Sequence, residues 1–155
     1  RDLQEIIKAK YATKRERLSI FLKSFAFKKG VPRDADLVFD VRFLQNPFYV
    51  EGMREKTGLD PDVGDYIAAD PDFAGFYSNL THLLLPLLPR YQQEGKSYLT
   101  IAIGCTGGRH RSVYVTELLC GFLEARGFQV SCHHREIEAE LAQSVTKKKG
   151  SSEPL

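Results

Sequence analysis

The sequence predicts a single α/β domain: a small, mostly parallel sheet of about four strands with flanking helices, and a ligand site at the carboxyl ends of the strands. Two observations carry this. Apolar runs rich in β-branched and aromatic residues alternate along the chain with segments of helical period. In addition, residues 99–113, LTIAIGCTGGRHRSV, read without interruption as a strand, a glycine loop and a helix start. At 155 residues the chain is long enough to bury its own core.

In order, Asp2 and Glu5 resemble a capping box, and Leu3, Ile6, Ile7 and Tyr11 follow at helical spacing. Residues 2–16 are therefore expected to form an amphipathic helix with a basic outer face. Residues 18–27, LSIFLKSFAF, alternate and predict a strand, which Gly30 and Pro32 break; residues 37–41 predict a second. Turn signals fill 43–64, so a long loop with short helical pieces is expected, held by Phe43, Phe48 and Tyr49. Asp70-Pro71 then predicts a helix running to about residue 94, which Pro86 and Pro89 should kink or end early. A third strand (97–103), a helix with Val115, Leu118, Leu119, Phe122 and Leu123 on its core face, a fourth strand (128–133) and a short helix (136–143) complete residues 1–146. The Lys, Gly and Ser of 147–155 predict a disordered basic tail.

With 43% hydrophobic and 27% charged residues, the composition is that of an ordinary globular protein. No stretch approaches the ~20 apolar residues that span a bilayer, so no membrane role is expected. Three cysteines without framework spacing suggest reduced thiols in a cytoplasm. The net charge of +2 conceals segregation, because residues 1–33 carry ten Lys/Arg against Asp2, Glu5 and Glu16, whereas 34–72 reverse the balance. Basic character returns at the glycine loop, at His133, His134 and Arg135, and at Lys147, Lys148 and Lys149. Folded together, such blocks make a footprint for a polyanion.

The loop from Gly104 to Ser112 places glycines before a helix N-terminus and adds Thr106, Arg109, His110, Arg111 and Ser112, a composition suited to holding an anion such as phosphate. Three readings fit it. Cys105 to Ser112 satisfies C-x-x-G-x-x-R-S, which resembles the phosphate loop of cysteine-dependent phosphatases. Gly104, however, stands where such enzymes normally have His, and no general acid can be assigned. A purely structural glycine turn is the second reading, and non-catalytic anion binding, the one favoured, is the third. No metal or other cofactor is expected: there is no C-x-x-C pair, and Cys120, on an apolar helix face, is better explained as a small buried hydrophobe than as a ligand with Cys132, His133 and His134. Asp40 beside Arg42 is either a buried ion-pair partner or a polar group ordering the ligand site. The Walker A pattern is absent, which removes the usual nucleotide reading.

Residues 24–48 (SFAFKKGVPRDADLVFDVRFLQNPF), R-x-x-T-G at 54–58, GCTGGRHRSV at 104–113 and His134-Arg135 together resemble the carboxy-terminal domain of the RapZ family of RNase adapter proteins. The resemblance implies a non-enzymatic module that binds regulatory small RNA, presents it to the endonuclease RNase E and senses glucosamine 6-phosphate. It implies that Thr106, Gly107, Gly108, His110 and Arg111 hold the sugar phosphate, with Asp40, Asn46 and the aromatic loop closing over the sugar; Arg42 and Ser112 are expected on the same edge. Lys28, Lys29, Arg109, His134, Arg135, Lys147, Lys148 and Lys149 are the positions expected to meet RNA. Phe48 departs from members with His there, which leaves the ligand without that imidazole or with a stacking ring in its place. The family's amino-terminal kinase-like domain lies outside these 155 residues, so nucleotide binding is not assigned to them. A homo-oligomer is expected.

Overall fold

In the computed structural model, residues 17–151 are described, with side chains to Thr146. The helix expected over 2–16 lies outside the described residues, as does 152–155. Four strands, β1 (Ser19–Ala26), β2 (Leu37–Asp40), β3 (Tyr98–Cys105) and β4 (Gln129–His134), form one sheet in the order β2-β3-β1-β4. Every pairing is parallel: Ser19 to Ala26 run beside Tyr98 to Cys105 on one side and beside Gln129 to His134 on the other, and β2 pairs with β3 through Asp40 and Gly104. All four carboxyl ends therefore lie on one edge, as a parallel sheet requires, and the chain has to cross over between strands.

The helices are α1 (Pro61–Ala68), α2 (Phe73–Gln93), α3 (Arg111–Ala125) and α4 (Arg135–Ser151), with short 3₁₀ turns at Phe27–Lys29 and Pro47–Tyr49. One continuous core joins Ile20 and Leu22 of β1 and Leu99, Ile101 and Ile103 of β3 to Val63 and Ile67 of α1, Leu80, Leu84 and Leu88 of α2, and Val115, Leu119 and Leu123 of α3. Most are wholly buried, and at about 25 cal/mol per Å² of apolar surface such a cluster is the main stabilising contribution.

Three sequence expectations need correction. Pro86 and Pro89 neither end nor shorten α2, which continues to Gln93. Both prolines face solvent, so the carbonyls of His82 and Leu85 that lose a partner lie towards water, while Leu80, Leu84 and Leu88 anchor the opposite face. That helix also starts at Phe73 rather than at Asp70-Pro71, because the Asp70 carboxylate is engaged as a bracket, accepting from Asp72 N at 2.9 Å and from Gln45 N at 2.8 Å. Finally, α4 starts one residue before the expected helix and runs past residue 143, so the backbone of 147–151 is helical.

Candidate anion site at the carboxyl edge of the sheet

A cleft of about 250 Å³ opens at the carboxyl ends of the strands. Its floor is the β3–α3 loop from Cys105 to Arg111; the turn after β1 contributes Lys28 and Lys29, the loop after β2 contributes Asn46, Phe48 and Tyr49, and α4 contributes Glu136 and Glu140. Four chain segments far apart in sequence thus converge because parallel strands end together.

The loop's shape follows from two glycines. Gly108 has φ +67°, and a Cβ there would meet Ala26 N at 2.7 Å and Glu136 Cγ at 2.9 Å, so only glycine lets the loop settle onto the end of β1. At Gly104 a Cβ would meet the Phe25 ring at 2.5 Å and the Phe27 ring at 2.6 Å. Those two rings pack edge to face, 4.8 Å apart, and Arg42 lies 4.0 Å over Phe27. No side chain caps α3, whose N-cap is His110, so the N–H groups of its first turn remain available to a ligand.

Arg111 is almost fully buried. Its Nη1 donates to the carbonyls of Arg42 and Leu44, its Nη2 donates to Thr106 Oγ1 at 3.3 Å, and its Nε has no partner among the described residues. The guanidinium thus ties the turn after β2 to the glycine loop and keeps one donor in reserve. His110 is likewise buried with Nε2 unpartnered. Burial, and secondarily the charge of Arg109, pushes its pKa below the ordinary imidazole range, with the backbone carbonyls of Lys56, Arg54 and Met53 offsetting part of the drop. Its resting form near neutrality is uncharged.

Arg109 is bound to the loop preceding α1: Nη1 and Nη2 donate to the carbonyls of Arg54 and Glu55 at 3.1 and 3.2 Å, and its own carbonyl accepts from Gly58 N at 2.8 Å. Its Nε lies 3.0 Å from Glu140 Oε1, without the N–H aimed at that oxygen, so the pair is Coulombic rather than hydrogen-bonded. Lys28 and Lys29 are exposed at the rim and pair with no acid among the described residues. Asn46 caps the 3₁₀ turn by accepting from Phe48 N at 3.1 Å, which holds the Phe48 and Tyr49 rings at the mouth.

Of the positions expected to hold the phosphosugar, Asn46, Thr106, Gly107, His110 and Arg111 line the cleft. Gly108 shapes it from beneath, and Ser112 is fully buried, its Oγ 3.1 Å from Cys105 Sγ. Asp40 and Arg42 do not line it. They form a multidentate pair, with Arg42 Nη2 2.7 Å from Asp40 Oδ2, and Arg42 holds the Asp40 carboxyl below its usual range. Of the expected RNA positions, Lys28, Lys29 and Arg109 share the same cleft. Arg135 sits behind it, donating to Gly30 O at 2.8 Å and to Ala26 O at 3.4 Å. His134 does not join this edge: strand alternation turns it towards α3, where it is buried between Ser24 and Glu117. Lys147, Lys148 and Lys149 belong to α4, their side chains outside the described set. Sequence reasoning missed Glu136 and Glu140. Glu136 is buried, accepts from Ala26 N at 2.7 Å and pairs with Arg135 at 3.1 Å; its one signal was a carboxylate in the first turn of a helix directly after the basic cluster.

A family model described as the RapZ C-terminal domain matches residues 18–138. The chain belongs to the RapZ C-terminal domain family. Relatives in this group include a nucleotide-binding protein of Rhodospirillum rubrum, 55% identical over 137 residues, which cover 88% of this chain and 43% of that protein. A nucleotide-binding protein of Paramagnetospirillum magneticum is 57% identical over 121 residues, 78% of this chain and 40% of the relative. One of Cereibacter sphaeroides is 47% identical over 134 residues, 86% of this chain and 45% of the relative. The chain thus spans less than half the length of these RapZ-family relatives. The matched region takes in β1 to β4 and the first residues of α4, hence every segment that lines the cleft except Glu140. No described helix is long and apolar enough to cross a membrane.

Proposed function

We propose that this domain is a non-enzymatic sensor and RNA adapter: the cleft holds a phosphosugar of the glucosamine 6-phosphate type, the basic rim binds small regulatory RNA, and the RNA is presented to an RNase E-type endonuclease. The observation that carries the reading is a buried donor without a protein partner among the described residues, Arg111 Nε, on a side chain that with His110 lines a cleft rimmed by Lys28 and Lys29. Leaving buried polar groups unpaired costs on the order of 1–3 kcal/mol each, a cost that a bound anion removes. The uncapped first turn of α3 adds backbone donors suited to the same charge. Tyr49, 79% exposed beside Phe48, offers a face on which a base or a sugar stacks. Sugar phosphate and RNA phosphates both draw on the positive charge of this one cleft, so the two ligands compete. The relatives' names refer to nucleotide binding by longer proteins of which the match covers less than half, and these 155 residues carry no Walker A loop.

Calorimetric titration of glucosamine 6-phosphate into the domain, repeated with structured RNA already bound, tests this reading. Saturable binding that weakens as RNA is added is expected; independent binding of the two would overturn the competition, and no heat with any phosphosugar would overturn the sensor.

A second reading has one observation in its favour. Cys105 Sγ sits at the base of the loop, 3.1 Å from the Ser112 hydroxyl, an arrangement that suits a nucleophilic thiolate. Aryl phosphate hydrolysis by the unmodified chain, abolished in Cys105→Ser, would establish a phosphatase; absence of turnover leaves the loop a binding device.

A further inference from the structure

A second polar cluster lies where β4 faces α3, with no role in the cleft. Glu117, Cys132 and His134 each direct one ligand atom to a common point, all within 4.8 Å of one another. Cys132 Sγ is 3.5 Å from Glu117 Oε1 and 3.6 Å from His134 Nε2, and His134 Nε2 is 2.6 Å from Glu117 Oε1. Zinc bound tetrahedrally at about 2.3 Å from sulfur and about 2.0 to 2.1 Å from nitrogen and oxygen requires S···N and S···O edges of roughly 3.5 Å. Two of the three edges already have that length. The third opens by less than about 1 Å if the Glu117 side chain, 44% exposed, rotates outward.

The two secondary structures explain the convergence. Cys132 and His134 are two apart on a strand and share a face; Glu117 and Cys120 are three apart on α3 and share a face of that helix. The Cys120 thiol neighbours that of Cys132 but falls outside the set of ligand atoms that lie within 4.8 Å of one another, which leaves the fourth position of a tetrahedral ion to solvent. Ser24 Oγ lies 2.8 Å from His134 Nδ1, and this contact orients the ring so that Nε2 faces the cluster. Glu124, whose Oε1 is 3.5 Å from Cys120 Sγ, adds further negative charge, and the nearest cations are spent elsewhere: Arg126 lies over Phe122, and Arg135 donates to Ala26 and Gly30. His133, which sequence spacing had placed with these residues, turns to the other face of the sheet, 3.6 Å from Glu138.

We propose that Glu117, Cys132 and His134 form a site for one divalent transition-metal ion of zinc-like borderline softness, with solvent in the fourth position. A sulfur and an imidazole select that class over calcium or magnesium, which favour all-oxygen sites. Binding converts the Cys132 thiol to a thiolate and releases its proton to solvent, and the ion fastens β4 to α3 immediately before Arg135 and Glu136.

The test is titration of the reduced, chelator-stripped chain with cobalt(II) and then zinc(II). One equivalent of cobalt is expected to produce a thiolate-to-metal charge-transfer band in the near ultraviolet with intense tetrahedral bands in the visible, both bleached by zinc. Glu117→Gln and Cys132→Ser are each expected to weaken zinc at least about tenfold in competition with a chromophoric chelator, far-ultraviolet circular dichroism remaining unchanged. A pale octahedral cobalt spectrum without charge transfer, no stoichiometric uptake, or undiminished affinity in both variants would overturn the proposal. Glu117 is exposed, so Glu117→Gln decides the matter even if Cys132→Ser fails to fold.

Discussion

Arg111 joins a structural tie to a donor without a partner among the described residues. Its Nη1 and Nη2 bonds hold the turn after β2 against the glycine loop, while Nε is left over. Arg111→Ala is therefore expected to lower unfolding free energy and to weaken phosphosugar binding, each by on the order of 1.5 to 3 kcal/mol, as read by urea denaturation and calorimetry. His110 makes a pH prediction. Its pKa is lowered in the folded chain, so as pH falls through the ordinary imidazole range the unfolded chain takes up the proton first and folding stability declines. Melts between about pH 7.5 and 5 should show that loss, and His110→Gln should flatten it. A slope unchanged in the variant would assign the titration to another group. Ligand affinity should move the opposite way, because an anion beside Nε2 favours the imidazolium. At this scale the loop residues were legible in the sequence because glycine, arginine and hydroxyl side chains have few other uses together. The burial of His134 and the outward Asp40–Arg42 pair were not, because both depend on which way a strand's alternation points at its last residue.

The elements were legible where period and punctuation agreed. All four strands and the helix after the glycine loop could be read from apolar runs between turn signals such as Gly30, Gly95 and Gly127, although β3 continues through Gly104 to Cys105 instead of ending at 103. The second helix was harder, because proline propensity argued against a continuation that packing enforces through Leu84 and Leu88. Since interior proline costs about 3 kcal/mol relative to alanine in an isolated helix, Pro86→Ala should stabilise the domain, by a smaller amount once the gain in unfolded-chain entropy is subtracted. A destabilised Pro86→Ala in guanidinium unfolding would mean that the proline is required by packing. The loop between β3 and α3 has the opposite sensitivity. Gly108→Ala places a Cβ against Ala26 and Glu136 at φ +67°, and a loss of about 2 kcal/mol or more is expected, with anion binding reduced in proportion to the distortion of the loop.

For the whole molecule, the parallel order β2-β3-β1-β4 gathers four dispersed segments along one edge and leaves the acidic stretch 34–72 mostly elsewhere. Neither the sheet order nor the arrival of α4 at the cleft can be read from a list of elements, because crossover connections fix neighbours only in three dimensions. If RNA is held chiefly through its phosphates, log affinity should fall linearly with log salt. Removing Lys28 and Lys29 together should then reduce the slope by roughly 1.4 to 1.8, counting 0.7 to 0.9 per phosphate contact, measured by fluorescence anisotropy across a salt series. An unchanged slope would move the RNA surface away from this edge. The packing at Gly104 also bears on what this architecture can become. The site immediately before Cys105, where thiol phosphatases carry histidine, is filled by the rings of Phe25 and Phe27, on which Arg42 rests in turn. A side chain there would have to displace one of those rings, so a route to phosphatase chemistry is expected to shrink at least one ring before it introduces the imidazole. The aromatic pair thereby separates the packing before this loop from that of the phosphatase loops it resembles in outline.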